Sequence, residues 1–468
     1  MHGLAVALGG LVVLMGGAAA PPQSLAEPPS AVPGASLFIT GVAIIDPGSG
    51  STSAPSDILI EAGRITAVAP TGQLAPPAGI ERLDGKGRFA MPGLIDVHAH
   101  LGEGGVGPAD EATRRRALKQ FLRYGVTTIF VPGASGANEA DFQALRQDCA
   151  PDPLACPGLY GSGSLITAPG SHPISTIFNL STDPPAAAME AIGVTMLDPQ
   201  ADIEALVAAR QAAGVDAIKI IIEDGPPPWY PKPRLSDGQV RRIVEAAHRR
   251  DLPVLAHVSR SDHVRIALEA GVDGIMHAPI DRMPDDLLHQ MAAQDMMFVA
   301  TLSLYDGFVT WARGEGERDP YALAGVEPSA LASLSAPPFL QAAAETEAGA
   351  RAYVATASDN LRRAVAAGVP IALGTDVNNP FVFPGYSAHE ELSWMVRAGL
   401  SPAQALDAGT VGSAAFLRAS GRIGRVQPGH EADLLLLARN PLVQIENSRS
   451  LVAVISEGRI VPDVVGLP

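Results

Sequence analysis

The stretch GLIDVHAH, Gly93 to His100, is a short apolar run that closes on two histidines with one residue between them. In a strand, residues i and i+2 face the same way, so His98 and His100 are expected to project together from the strand's end. The same texture recurs down the chain, in VTTIFVPG, GLYGSGSLI, DAIKIII, PVLAHV, GIMHA, MFVATLS and PIALGTD. Amphipathic stretches such as ADIEALVAARQAAG and DGQVRRIVEAAHRRD, with apolar residues at helical spacing, precede most of these runs. Eight strand–helix units between about Leu94 and Leu417 predict an α/β fold, a TIM (β/α)8 barrel, with residues 305–350 as an insertion after the seventh strand. A doubly wound open sheet is the alternative, but no Gly-rich phosphate turn follows the first strand.

Outside that region the pattern is short strands and turns. SLFITGVAIIDPGSG, DILIEAGRITAVAP and GIERLDGKGRFAMPG precede it, and ADLLLLARN and LVAVISEGRIV follow. These predict a small β-sandwich domain formed from both chain ends, residues 27–93 and 418–468, flanking a barrel over 94–417.

A net charge of −16 argues against a nucleic-acid partner, which a basic surface would serve. Leu4 to Ala20 is an uncharged apolar run, and Ser24-Leu25-Ala26 offers small residues where a signal peptidase reads. Residues 1–26 are therefore expected to be a signal peptide, with the mature protein exported to the periplasm or secreted and not inserted in a membrane. An uncleaved anchor is the alternative, although the run is short for a span and holds two Gly-Gly pairs. In an exported chain the two cysteines of RQDCAPDPLACPG, Cys149 and Cys156, are expected to form one disulfide.

Polar residues able to hold metals stand at one strand end after another: His98 and His100, then Lys219, His257, His277 and Asp376. Catalytic groups of TIM barrels come from the ends of different strands at one face. Singly, each has a plainer reading as a core histidine or a helix cap. Together, in order, they form a constellation. Lys219 is the odd member, because only four of the 33 basic residues are lysines and this one sits inside a β-branched run. A buried unpaired ammonium is costly, so Lys219 is expected to shift its pKa, to find a partner or to snorkel to solvent.

The motifs MPGLIDVHAH, DAIKI, LAHV, GIMHA, GTD and the closing GRIGRVQPGHEADLLLLARNPL resemble the amidohydrolase superfamily, and most closely its imidazolonepropionase-like and prolidase-like metal-dependent hydrolases. The resemblance implies two divalent metal ions bridged by a carbamylated Lys219. One ion would take His98, His100, the carbamate and Asp376, and the other the carbamate, His257 and His277. Nitrogen and oxygen ligands suit zinc, with manganese, cobalt and iron as alternatives. The implied reaction is hydrolysis of an amide, cyclic amide or peptide-like C–N bond by a metal-bridging hydroxide, with Asp376 orienting the nucleophile and carrying its proton. Esterase or lactonase activity on the same site, or metal binding without catalysis, are the alternative functions.

Mononuclear deaminases of the superfamily lack the lysine and add a glutamate near the strand-five histidine. HVSRSD has none, which argues against deamination. His172, Tyr230 and Arg234 are the candidates for binding a small-molecule substrate. His389, in HEEL, is expected to pack rather than ligate. A homo-oligomer is compatible with all of this.

Overall fold

The computed structural model describes residues 35–102, 110–133, 138–175, 184–225, 231–312, 320–324, 326–328, 332, 336–377, 379 and 381–466. The expected signal peptide and Tyr230 lie outside the described residues.

The leading strands are β1 (Leu37–Asp46), β2 (Ser51–Thr52), β3 (Ser56–Glu61), β4 (Arg64–Pro70), β5 (Glu81–Asp84) and β6 (Phe89–Pro92). The parallel strands follow as β7 (Leu94–Asp96), β8 (Val126–Val131), β9 (Gly158–Gly161), β10 (Leu165–Thr167), β11 (Val194–Met196), β12 (Ile218–Ile221), β13 (Val254–His257), β14 (Gly274–Met276), β15 (Met297–Val299) and β16 (Ile371–Ala372). The chain closes with β17 (Leu434–Leu437), β18 (Leu451–Ser456) and β19 (Arg459–Ile460).

Strand β1 organises the β domain by changing partners along its length. Its first half pairs with β3 and β5, and its second half pairs with β6. The change falls at a register shift between Ile39 and Val42, where Gly41 takes a left-handed φ of 67° that a side chain would resist. Strand β6 then pairs antiparallel with β17, so the two chain ends share one sheet. The LLLL of β17 shows no polar alternation because both of its faces are buried. Leu434 and Leu436 enter the β-domain core with Ile58, Ile60 and Ile455, while Leu435 and Leu437 enter the main core.

The middle of the chain is α/β with a curled parallel sheet. Strands β11-β10-β12-β13-β14-β15-β16 form one parallel run, and β7-β8-β9 form a second. Hydrogen bonds cross between the runs at both sides. The Val97 N–H donates to Leu373 O at 2.8 Å, just past β7 and β16, and the Asp216 N–H donates to Gly161 O at 2.8 Å, between β9 and the lead into β12. A single apolar cluster draws Ile95, Phe130, Tyr160, Ala217, Leu255, Met276, Val299 and Ala372 from these strands or the residues beside them.

Helices form where the periodicity expects them, at Ile203–Ala212 and Asp237–His248. The second starts at a capping box between Ser236 and Gln239 and buries Val240, Ile243, Val244, Ala246 and Ala247 against the sheet. GLYGSGSLI divides into β9 and β10, with Gly163 left-handed between them, and β11 is a strand the sequence reading did not contain. The helix Leu302–Ala312 spans the start of the insertion, and the helix Pro337–Ala366 spans its end. Cys149 and Cys156 form a disulfide closing the end of the helix Glu139–Cys149. Among the described residues no helix is long and apolar enough to cross a membrane.

Candidate metal centre

The residues singled out by strand order come together where the parallel strands end. His98 and His100, just beyond β7, place Nε2 atoms 3.2 Å and 3.3 Å from the same oxygen, Asp376 Oδ1. His277 joins them, its ring 4.7 Å from that of His98 and its Nδ1 3.9 Å from Asp376 Oδ2. The His277 ring lies 4.5 Å from that of His257, which links the two halves of the expected set.

The backbone at these strand ends is unusual. His277, Thr301 and Asp376, just past β14, β15 and β16, all adopt left-handed φ values, of 76°, 52° and 62°. For residues with a Cβ this conformation costs free energy, and such strain collects where a side chain must be aimed at a site. A bond from Thr301 Oγ1 to His277 Nδ1, at 2.9 Å, holds one of the rings so aimed. Gly374, in GTD, is needed for a simpler reason: a Cβ there would lie 2.7 Å from His98 Cβ and 2.5 Å from Val299 Cγ1.

Burial sets the charge state of the cluster. Desolvation pushes the imidazoles of His98, His172 and His257 down to about 3 and that of His277 well below its ordinary value, so these rings are neutral at pH 7. Neutral imidazole is the form that binds metal. The Nδ1 atoms of His98 and His100 are buried and make no hydrogen bond among the described residues. His98, His100 and Asp376 form one group of donor atoms mutually within 4.8 Å, and His172, Glu223 and His257 form another. Buried, neutral and convergent donors of this kind fit divalent cations.

Lys219 does not snorkel. It is 3% exposed, its Nζ contacts Met276 Sδ at 2.6 Å, and desolvation lowers its pKa from 10.5 to about 7. A thioether is a weak acceptor and a poor substitute for the water an ammonium loses.

His172 reaches the centre, stacking on His257 at 4.4 Å between ring centroids. Arg234 is not among the clustered residues. Its guanidinium is held at 2.7 Å by Asp237 Oδ1 and at 2.7 Å by the Leu235 carbonyl, at the start of the helix Asp237–His248. His389 packs as expected, bonded to Ser448 Oγ at 2.9 Å and Tyr124 O at 2.8 Å.

Two residues of the site were missed in the sequence. Asp96 Oδ1 accepts from the backbone of His98 and of Thr375, which ties β7 to the end of β16. A short hydrogen bond joins His257 Nε2 and Glu223 Oε2. HVSRSD, the segment that begins at His257, holds no glutamate. The structure supplies one from just beyond the neighbouring strand β12, where the strand's period of two, continued past Ile221, puts Glu223 on the face of Lys219.

The sequence pattern of the amidohydrolase family matches residues 89–461. The imidazolonepropionase of Rubrobacter xylanophilus is 25% identical over 443 residues, covering 84% of this chain and 86% of the relative. The ochratoxinase of Aspergillus niger is 25% identical over 387 residues, covering 76% of this chain and 71% of the relative. A crystal structure of a Xaa-Pro dipeptidase with bound methionine superposes with a TM-score of 0.72 at 22% identity, covering 91% of this chain and 99% of that one. Matched from the closing strands of the leading β segment to its last hairpin, the chain is a member of the amidohydrolase family.

Proposed function

We propose that this amidohydrolase is a binuclear-metal hydrolase that cleaves an amide, cyclic amide or peptide-like C–N bond in a small molecule. His98, His100 and Asp376 would hold one divalent ion, His257 and His277 the other, and a carbamylated Lys219 would serve both as a ligand. The observation that carries this reading is the convergence of His98 and His100 on Asp376 Oδ1 beside a buried lysine whose one hydrogen-bond partner among the described residues is a thioether. When bound, the ions supply Lewis-acid polarisation of the carbonyl and lower the pKa of water. The Asp376 carboxylate takes the proton that water loses as it adds to the carbonyl carbon, and delivers it to the leaving nitrogen as the C–N bond breaks. His172, set on the His257 ring, is positioned to meet substrate. Tyr230 and Arg234 remain candidates for substrate selection.

The same reading takes the parallel strands as one closed eight-stranded barrel over residues 94–417, beside a β-sandwich of residues 27–93 and 418–468. The cross-sheet bonds of Val97 and Asp216 and the shared apolar cluster support it. It takes residues 1–26 as a signal peptide and the mature enzyme as exported, periplasmic or secreted. Zinc is the metal this donor set favours.

Elemental analysis joined to assays on N-acyl amino acids, dipeptides and lactones tests the function. About two ions per chain and release of an amine are expected. Turnover of lactones alone would move the reading to an esterase. Release of ammonia from an amidine ring would favour the deaminase reading that Glu223 reopens.

A further inference from the structure

We propose that Glu223 is a positioning residue for His257: its carboxylate accepts the Nε2 proton, which makes Nδ1 the ring nitrogen that faces the metals. The inference rests on the metal-centre reading given above. Glu223 lies two residues beyond the end of β12, where the bond from the Ile222 N–H to His257 O, at 3.0 Å, keeps the chain alongside β13. Glu223 is 1% exposed. Its neighbour Asp224 turns to other partners, bonding His263 Nε2 at 3.0 Å and pairing with Arg260. Glu223 alone of the two acids is aimed at the cluster.

The His257 ring is constrained on three sides. His172 stacks on its face at 4.4 Å and 24°, His277 meets it at 4.5 Å and 62°, and Glu223 Oε2 bonds its Nε2. Ser171 Oγ donates to the Glu223 carbonyl at 3.3 Å, which ties the glutamate to the loop that carries His172. With the Glu223 carboxylate as acceptor in this bond, the imidazole nitrogen facing it carries the proton. A neutral imidazole has one N–H, and fixing it on Nε2 leaves the lone pair on Nδ1. A carboxylate behind a metal-binding histidine orients the ring and raises its basicity, and loss of such a partner weakens metal affinity about 10- to 100-fold. The competing geometry is direct ligation, since His172, Glu223 and His257 also bring donor atoms within 4.8 Å of one another.

The test uses the full mature chain, labelled with ¹⁵N-histidine and loaded with cadmium. Long-range ¹H–¹⁵N spectra show which nitrogen of His257 is protonated and which couples to the metal. The proposal expects Nε2–H and a metal-bound Nδ1. Coupling through Nε2, or a proton on Nδ1, overturns it in favour of direct ligation. Competition with a chromogenic chelator then measures metal affinity in Glu223→Gln and Glu223→Ala. The expected result is an unchanged number of ions, with the weaker one held about 10- to 100-fold less tightly in Glu223→Ala and by a smaller factor in Glu223→Gln, whose amide oxygen still accepts the N–H. Wild-type affinity in both variants also overturns the proposal. If the wild-type protein holds one ion, the two-metal reading fails, and the protonation of His257 still decides the role of Glu223.

Discussion

Thr375 Oγ1 donates to Asp96 Oδ2 at 2.6 Å, and the Thr375 N–H reaches Asp96 Oδ1 at 3.1 Å, joining residues 279 apart in the chain. The same Oδ1 accepts from the His98 N–H at 3.0 Å, so one buried carboxylate holds a histidine of the first parallel strand beside the aspartate that follows the last. Thr375→Val keeps the shape and removes the hydroxyl, leaving a buried carboxylate short of a donor. We expect a loss of about 1–3 kcal/mol in unfolding free energy, read by urea titration, and weaker metal retention. Unchanged stability would show that the hydroxyl contributes only in the static structure.

Lys219 offers the sharpest test of the bridge. Lys219→Ala should lose metal and activity together, and a short carboxylic acid added back should restore part of the turnover by standing in for the carbamate oxygens. Lys219→Arg should fail although it keeps the charge, since a guanidinium cannot be carbamylated and repels the ions. Metal analysis of the arginine variant decides the matter, and wild-type metal content there would sink the bridging role.

Glu391 gives the stability of the fold a pH dependence. Burial raises its pKa from 4.5 to about 7, against the bonds it accepts from Ser303 N and Leu302 N at 2.7 Å and 2.9 Å. A folded-state pKa above the unfolded one means the folded state holds the proton more tightly. Its contribution to stability is therefore full below about pH 4.5 and is lost as pH rises through about 7. Glu391→Gln has no charge to lose. The melting temperature of the variant, relative to wild type, should climb between pH 4.5 and 7, each unit of the pKa rise being worth about 1.4 kcal/mol. Parallel curves for the two proteins would refute this.

The Cys149–Cys156 disulfide closes a short loop, with a sequence separation of 7. Loop entropy for so small a ring gives about 2 kcal/mol. Replacing both cysteines by serine should lower the melting temperature of the oxidised protein while leaving metal content unchanged. Mass spectrometry of exported protein should show a chain beginning near Glu27 and two hydrogens lighter than its reduced form. Free thiols in that fraction would refute the disulfide.

Much of this molecule can be read locally. An apolar run ending in HAH or GTD shows which residues share a strand face, because side chains alternate with a period of two regardless of what lies across the sheet. That is why six metal candidates could be named in chain order, and why the helix Asp237–His248 could be recognised from its apolar spacing. Glu223 was legible by the same rule and was lost only because the strand was read as stopping at Ile222. Other features have no local signature. Strand β11, the partner switch in β1 and the turning of Arg234 toward Asp237 depend on which surfaces are left to cover once the core has formed.

The sequence by itself determined the strand–helix alternation, the pairing of chain ends in a β domain and six candidate donor residues, since periodicity and side-chain chemistry are carried residue by residue. Only the tertiary structure decided that His98, His100 and Asp376 meet at one oxygen, that Asp96 binds Thr375, and that a glutamate from β12's end faces the histidine of β13. Those contacts depend on the register between strands distant in the chain, which is set by collective packing of the sheet and its helices and is not encoded in any single segment.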